Sequence, residues 1–396
     1  MKKRAIVLFG AGASVEYKAP STMKLTEDIE RSVMADGWMK RSGGDAAYAV
    51  IRDKLKAYLR NPGIVHFEHI YHCAHELLFK SAPGHKAFDE FRPLLVPFLD
   101  DNSGIPETAL RELARHMAKV IYAEMSAACG RNALSLDPLR AFFDMLKAQH
   151  VLRIYTTNYD DFPLQADPGL YTGFVASPSA TPKPFEIDTF WQRQDVDSIF
   201  HLHGSVHMGF PHPIPAGGEL GELFWFDDRA EAIKHSSFNG GDARRMDGSS
   251  FLPTAVITGL DKLSRLQQRP LSHFYSAMAT DLMAADLIYV IGSGLSDLHL
   301  NTWLQEARSR NPRPPLLFVD YWNTSFLDAV EFDHDRKEIE MFHALKMQVG
   351  GHYGGTRIGA GWTLSDDRTC AIWDKGFQRF LTAPTDHDQV VALCTA

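Results

Sequence analysis

Residues 5–15 read Ala-Ile-Val-Leu-Phe-Gly-Ala-Gly-Ala-Ser-Val. The first five residues are a continuous apolar run, which is typical of a strand buried on both faces of a parallel sheet. Gly10 and Gly12 follow, and glycines between a strand and a helix let the main chain approach a ligand closely. The stretch therefore predicts the first strand and turn of a dinucleotide-binding sheet. A tight turn that binds nothing also fits, because Val15 stands where that fingerprint has its third glycine.

Further apolar runs predict the other strands of this sheet. They are bounded by turn residues and lie at 151–155, 198–202, 254–258, 287–291 and 316–319. Between the first two strands, apolar residues recur at helical spacing, as in 106–129 and 139–146. The sequence therefore predicts an α/β fold, with a doubly wound, mostly parallel Rossmann-like sheet and a helical insertion domain.

This pattern divides the chain into three predicted parts. Residues 1–22 and 136–330 form the Rossmann-like sheet domain, and residues 23–135 form the helical insertion. Residues 331–396 mix glycines, charges and short apolar pieces, so we expect an appended C-terminal segment and predict no structure for it.

Composition restricts the class of protein further. Lys and Arg number 41 against 49 Asp and Glu, a net charge of -8, so we expect no direct nucleic-acid binding. No apolar run approaches the roughly 18 residues of a membrane span, so we expect a soluble protein with no membrane partner.

The chain has four cysteines, which form no C-x-x-C pair: Cys73, Cys129, Cys370 and Cys394. That usage suits the cytoplasm and argues against both a disulfide framework and a cysteine zinc site.

Small or polar residues follow four of the predicted strands. The four motifs are Gly10-Ala11-Gly12-Ala13-Ser14, Thr156-Thr157-Asn158-Tyr159-Asp160, His203-Gly204 and Gly292-Ser293. Parallel sheets present groups to a ligand at the carboxyl ends of their strands, although turn formation alone would also select Thr, Asn and Asp. The glycine after His203 is expected to leave open space, and Ser296 or Asp297 is expected to cap the next helix.

In order and chemistry these motifs resemble the sirtuin (silent information regulator) family. The resemblance is closer to its prokaryotic branch of sirtuin-like, NAD-consuming antiphage defence proteins, of the kind paired with a HerA-type ATPase. It covers about residues 1–22 and 140–320. It implies that NAD is the substrate and that Asn158 holds a water or the nicotinamide ribose at the reacting carbon. Asp160 would orient the nicotinamide side, and His203, with an ordinary pKa of about 6.5, would be the general base.

The resemblance also implies a set of NAD-binding residues. The pyrophosphate and the nearby ribose would be lined by Gly10, Ala11, Gly12 and Ser14, and further binding residues would be Thr156 and Gly204. The adenosine half would be contacted by Gly292, Ser293 and Asp297. The adenine ribose would lie near Asp320.

The activity that this resemblance implies is cleavage of NAD to nicotinamide and ADP-ribose by an NAD glycohydrolase. The deacetylases of the family carry a four-cysteine zinc module that this chain cannot form, which puts protein deacylation in doubt. A deacylase or ADP-ribosyltransferase remains an alternative enzyme, and a non-catalytic NAD or ADP-ribose sensing or assembly module is an alternative of another class.

The resemblance also implies a partner, a HerA-type DNA-translocating ATPase, with an argonaute-like sensor as the alternative. Aromatic residues outside the sheet domain favour a homo-oligomer.

Two groups of histidines are candidate metal ligands. The first lies in a predicted helix and the second around the third strand: His66, His69, His72, Cys73, His75 and Glu76, and then His201, His203, His207 and His212. The i,i+4 pairs of the first group point in different directions around the helix, and His203 is better explained as a base. We therefore expect no metal.

Overall fold

The computed structural model describes residues 2–59, 61–81, 104–131, 134–176, 182–212, 222–237, 252–259, 262, 268–322, 342–349 and 354–395. Strands β1 to β10 span Lys3–Phe9, His150–Thr156, Ser198–His201, Met208–Gly209, Phe224–Trp225, Leu287–Ile291, Leu316–Val319, Thr356–Ile358, Trp362–Leu364 and Cys370–Trp373. Helices α1 to α14 span Ala11–Val15, Thr22–Ala35, Gly37–Ser42, Gly44–Tyr58, Phe67–Ser81, Glu107–Gly130, Asp137–Gln149, Phe162–Ala166, Ile187–Gln192, Arg229–Ala232, Leu271–Met283, Leu298–Arg308, Phe377–Leu381 and Pro384–Thr395.

Eight of these strands form one sheet in the order β3-β2-β1-β6-β7-β10-β9-β8. The first six are parallel to their neighbours, and β9 and β8 run antiparallel at one end. The strand order reverses between β1 and β6, because β2 and β3 lie on one side of this pair and β7 on the other. The predicted α/β class, with a doubly wound and mostly parallel sheet, is confirmed.

Five parallel strands end level with one another. Phe9 of β1 lies opposite Thr156 of β2 and Ile291 of β6. Thr156 lies opposite His201 of β3, and Ile291 lies opposite Val319 of β7. The residues that follow these strands therefore emerge along one edge of the sheet. Open α/β sheets bind ligands in the crevice at such an edge, where the strand order reverses.

Helices α2 to α6 come between β1 and β2 in the chain and pack around α6, which contacts each of the other four. The buried face of α6 includes Leu110, Leu113, Met117 and Ile121, at the three- and four-residue intervals of an amphipathic helix. In the described ranges no helix is both long enough and apolar enough to cross a membrane. The boundaries of the three predicted domains stay a prediction.

The C-terminal part of the chain extends the sheet beyond β7. β10 pairs with β7 in parallel, and β9 and β8 follow as an antiparallel ribbon. The buried guanidinium of Arg308 in α12 joins this part to the rest, since it donates to the carbonyl oxygens of Pro314, Leu345 and Thr369 at 2.6, 3.0 and 3.0 Å. The described residues of the predicted appended segment are thus part of the main sheet and its cover.

One predicted strand is wrong. Residues 254–258 form isolated bridges, in which Thr254 pairs with Ser237 and Val256 with Gly204. The segment crosses the carboxyl end of β3, so only one or two residues of any neighbour run beside it. A ladder needs a partner strand along its length, and no described segment supplies one.

Candidate active site

A cavity of about 390 Å³ opens at the edge of the sheet where the strand order reverses. Most of the predicted site residues line it, namely Gly10, Ala11, Gly12, Ser14, Asn158, His203, Gly292, Ser293, Asp297 and Asp320. Thr156, Asp160 and Gly204 are outside its lining. Another wall comes from the helices between β1 and β2, which supply Thr22, Leu25, Phe67, Glu68 and Met125. These helices therefore cover the site.

The cavity is elongated along the edge of the sheet. Its lining extends from His203, which follows β3, to Asp320, which follows β7. Four strand intervals separate these ends, and at about 4.8 Å for each interval the span is roughly 19 Å. Such an extent suits a long ligand with two halves, such as a dinucleotide.

The turns after β1 and β6 are packed against each other, which explains their glycines. A Cβ on Gly10 would lie 2.6 Å from the carbonyl oxygen of Gly292, and a Cβ on Gly292, whose φ is +63°, would lie 2.1 Å from the nitrogen of Ala13. The N–H groups of Gly10 and Gly12 donate to the carbonyl oxygens of Ile291 and Gly292 at 2.9 and 2.8 Å. The resemblance implies that Gly10 and Gly12 line a pyrophosphate, but their N–H groups are already bonded within the protein.

Asn158 is held so that one atom of its amide is left for a ligand. Nδ2 donates to the carbonyl oxygen of Gly10 at 2.8 Å and to Ser14 Oγ at 2.7 Å, and the main-chain N–H donates to Thr156 Oγ1 at 3.0 Å. A carbonyl oxygen can only accept, so the bond to Gly10 fixes which way the amide is turned. Oδ1 has no hydrogen-bond partner among the described residues. It is therefore available to accept a hydrogen bond from a water or hydroxyl in the cavity.

Asp160 lies behind Ser14. Ser14 Oγ donates to Asp160 Oδ2, and the N–H of Phe162 donates to Asp160 Oδ1 at 3.2 Å. Burial raises the pKa of Asp160 to about 6, and the hydrogen bond from Ser14 opposes this rise. A chain of donors therefore runs from Asn158 through Ser14 to Asp160. In this structure Asp160 orients Asn158 from behind.

His203 follows β3 and is 2 % exposed. Its carbonyl oxygen accepts the N–H of Ile257 at 2.8 Å, which anchors the turn against residues 252–259. The prediction that Gly204 leaves open space is wrong. A Cβ there would lie 2.0 Å from the carbonyl oxygen of Ala255, and φ is +87°, so packing against this segment requires the glycine.

His203 and four other titratable side chains lie close together, and we call these five the histidine cluster: His203, His299, Asp297, Lys262 and Glu68. Nε2 of His203 lies 3.3 Å from Nε2 of His299. Nζ of Lys262 lies 2.9 Å from Asp297 Oδ1 and 3.4 Å from Glu68 Oε1. Burial lowers the pKa of His203 to about 3, helped by the charge of Lys262 and opposed by Asp297. The imidazole is therefore neutral at pH 7 and has a lone pair to accept a proton.

Sequence reasoning missed three members of this cluster. His299 stands two residues after Asp297, so it had a local signal. Glu68 lies on α5, almost two hundred residues from Lys262 in the chain, and nothing near it in the sequence points to the site. Asp297 occupies the N-cap position of α12, but its side chain makes no capping hydrogen bond and pairs with Lys262 instead.

In the described part of the chain one group of possible metal ligands converges. It consists of His203, Asp297 and His299, whose ligand atoms lie within 4.8 Å of one another. The predicted groups on α5 and around β3 do not converge in this way among the same residues. The ammonium group of Lys262, 2.9 Å from Asp297, opposes a cation there. The expected absence of a metal stays a prediction.

Asp320 and Ser293 lie at the adjoining ends of β7 and β6. Asp320 Oδ1 accepts the N–H of Tyr321 at 2.8 Å, and Ser293 Oγ accepts the N–H of Leu295 at 3.2 Å. Both side chains therefore stabilise the local turns as well as lining the cavity.

No protein-family model and no curated protein sequence matches the chain. Similar solved structures include a mutant of Sir2 homologues in complex with 2′-O-acetyl ADP ribose and a structure described as the basis for the mechanism and regulation of Sir2 enzymes. Each is 12% identical over 87% of this chain and 93% of the other, with a TM-score of 0.32. A third, on sirtuin substrate affinity, is 11% identical over 83% of this chain and 85% of the other, with a TM-score of 0.29. With scores this low, the fold class rests on the strand order and register given above, and the site on its own geometry.

Proposed function

We propose that this protein is an NAD glycohydrolase, which cleaves NAD to nicotinamide and ADP-ribose. One observation carries the proposal: Asn158 and His203 line the same cavity, and each has an acceptor atom without a hydrogen-bond partner among the described residues. These atoms are Oδ1 of Asn158 and Nδ1 of His203. The cavity lies where doubly wound sheets bind dinucleotides. The motifs that resemble those of sirtuins supply the same two side chains, which supports NAD as the substrate.

The reaction breaks the bond between C1′ of the nicotinamide ribose and the pyridine nitrogen. Water adds to C1′, so NAD and water give nicotinamide, ADP-ribose and one proton. The ribose passes through an oxocarbenium-like state, which is stabilised by positioned polar groups. Asn158 Oδ1 would hold the water or a ribose hydroxyl at the reacting carbon, and neutral His203 would accept a proton at Nδ1. Asp160 and Ser14 would keep the amide of Asn158 turned for this task.

The cysteines support water as the acceptor instead of an acyl-lysine. In the deacetylases of the sirtuin family, a four-cysteine zinc module frames the acetyl-lysine cleft. All four cysteines here are free, Cys129 and Cys370 are buried, and Cys73 and Cys394 are half-buried. The sequence has no C-x-x-C pair from which to build such a module.

Product analysis with two variants tests the proposal. We expect the protein, alone or with an activating partner, to convert NAD to nicotinamide and ADP-ribose, measured by chromatography. Asn158→Ala and His203→Ala should each lower the turnover rate about a hundredfold or more, the usual scale for loss of a positioned polar group or general base. His116→Ala is the matched control, because His116 is a half-buried histidine of α6 that bonds only to Ser32 Oγ among the described residues. If NAD binds tightly and is not consumed under any activating condition, the sensing alternative is correct.

We extend the proposal to the biological setting that the resemblance implies. The protein would be an antiviral effector in the cytoplasm, active as a homo-oligomer and switched on by a HerA-type DNA-translocating ATPase, with an argonaute-like sensor as the other candidate. Purification together with the product of a neighbouring gene, followed by measurement of NAD loss, identifies the partner. Light scattering that gives a 44.4 kDa monomer with full activity and no partner would refute the assembly.

A further inference from the structure

His299 stands behind the proposed base. Its Nε2 lies 3.3 Å from Nε2 of His203, and it is half-buried at the start of α12, outside the lining of the cavity. The carbonyl oxygen of His299 accepts a hydrogen bond from the hydroxyl of Tyr275 on α11, which holds this turn of α12 in place. Nε2 of His203, a residue that lines the cavity, is thus engaged with His299, and Nδ1 has no hydrogen-bond partner among the described residues.

This contact leaves two tautomers open to His203, of which one suits a base. Two ring nitrogens 3.3 Å apart share a hydrogen bond only if one carries a proton and the other accepts it. His203 can accept a proton at Nδ1 only when its own proton is on Nε2. In that tautomer Nε2–H of His203 donates a hydrogen bond to Nε2 of His299. By accepting this bond, His299 holds the proton of His203 on Nε2 and leaves Nδ1 of His203 free for the substrate.

The surroundings favour positive charge on His299 over His203. His203 is almost fully buried and His299 is half-buried, and the carboxylate of Asp297 lies within 4.8 Å of a ring nitrogen of each. Burial lowers the pKa of both rings, and Asp297 opposes the effect at each. The other titratable groups around the pair are Lys262 and Glu68, which neutralise each other in part, and Tyr275.

We propose that His299 is a positioning residue that fixes the tautomer of His203 and takes up the proton that His203 removes. This inference rests on the proposed function. The hydroxyl of the substrate or water gives its proton to Nδ1 of His203, and the proton on Nε2 of His203 crosses to Nε2 of His299. The imidazolium of His299 holds the charge until the products leave. The shared proton then returns to Nε2 of His203, and His203 releases the proton on its Nδ1 to water in the emptied cavity, which restores the starting tautomers. One proton enters and one leaves, and no electrons are exchanged.

Kinetics test the relay. Gln at position 299 can accept a hydrogen bond at Oε1 but cannot bind a proton at neutral pH. We expect His299→Gln to lower kcat about tenfold or more, with KM for NAD changed less than about twofold. In His299→Ala, added imidazole should restore part of the lost rate. His273→Ala is the control, since His273 is a partly buried histidine of α11 that packs on Phe185, and its rate should be unchanged with or without imidazole.

A measurement without turnover separates this inference from the proposed function. Nitrogen NMR of histidine-labelled protein reports which ring nitrogen carries the proton. We expect His203 to be protonated at Nε2 in the wild type and to lose this preference in His299→Ala. A proton on Nδ1 of His203, or an unchanged spectrum and kcat in the variants, overturns the inference. If the NMR result is as expected and no NAD is consumed, the proposed function fails and the assignment of the histidine pair stands.

Discussion

Replacement of Asp160 by Asn tests whether the carboxylate behind Ser14 is held at a cost to stability. Asp160 is 3 % exposed, and burial raises its pKa from 3.8 to about 6. A group whose pKa is higher in the folded chain binds its proton more tightly there, so its contribution to stability is greatest below pH 3.8 and is lost as the pH rises towards 6. At 1.36 kcal/mol per pKa unit the full loss is about 3 kcal/mol, of which roughly 2 kcal/mol falls between pH 4 and pH 7.

Asn has the shape of Asp and does not titrate. Changes in the hydrogen bonds to Ser14 and Phe162 are therefore nearly the same at every pH and cancel when two pH values are compared. We expect the free energy of unfolding of Asp160→Asn, relative to the wild type, to rise by about 2 kcal/mol from pH 4 to pH 7. For a carboxylate stabilised by an ion pair, the relative free energy of unfolding of the Asn variant would instead fall from pH 4 to pH 7.

The assay is urea denaturation followed by tryptophan fluorescence at several pH values between 4 and 7. Asp188→Asn is the control, because Asp188 is exposed on α9, and its relative stability should not change over this range. A difference between Asp160→Asn and the wild type that stays constant within about 0.5 kcal/mol would falsify the reasoning.

Two further predictions concern the walls of the cavity. Gly292→Ala should lower the free energy of unfolding by about 2 kcal/mol or more, because the new Cβ would meet main-chain atoms and φ at this position is positive. Gly294→Ala is the matched control and should change stability little, because no atom lies within 4 Å of its new Cβ. Lys262→Met leaves the carboxylates of Glu68 and Asp297 without their shared cation. We expect a loss of about 2 kcal/mol in urea denaturation at pH 7, partly recovered when Glu68→Gln is added.

The strands that build the site could be predicted because their signals are local. The runs at 287–291 and 316–319 coincide with β6 and β7, and the run at 5–9 lies within β1. Each is buried on both faces, so every residue is apolar and the run stands out without any knowledge of its neighbours. The motifs follow directly in the chain, and the common carboxyl edge of a parallel sheet brings them together.

The antiparallel end of the sheet had no comparable signal, whereas β10, with four buried apolar residues like β7, could have been recognised. β8 and β9 have three residues each, and β8 begins with exposed Thr356 and Arg357. Such strands are stabilised by pairing with a neighbour already in place, so their own sequences show little. Residues 254–258 are the reverse case, an apolar run buried by its crossing over β3 and not by a ladder. The local sequence thus indicates that a segment is buried, but it does not indicate which segment pairs with it.

The two kinds of motif residue at this site differ in what they show about function. Gly10 and Gly292 are required by contact between two turns, so a Gly-Ala-Gly strand end indicates this fold whether or not a dinucleotide binds. Asn158 is different, because its contacts leave one atom of the amide unused. Its amide uses both N–H donors on Gly10 and Ser14, Oδ1 has no hydrogen-bond partner among the described residues, and Asn158 lines the cavity. Chemistry at this edge is therefore indicated by Asn158, whose Oδ1 is available to a ligand, more than by the glycines.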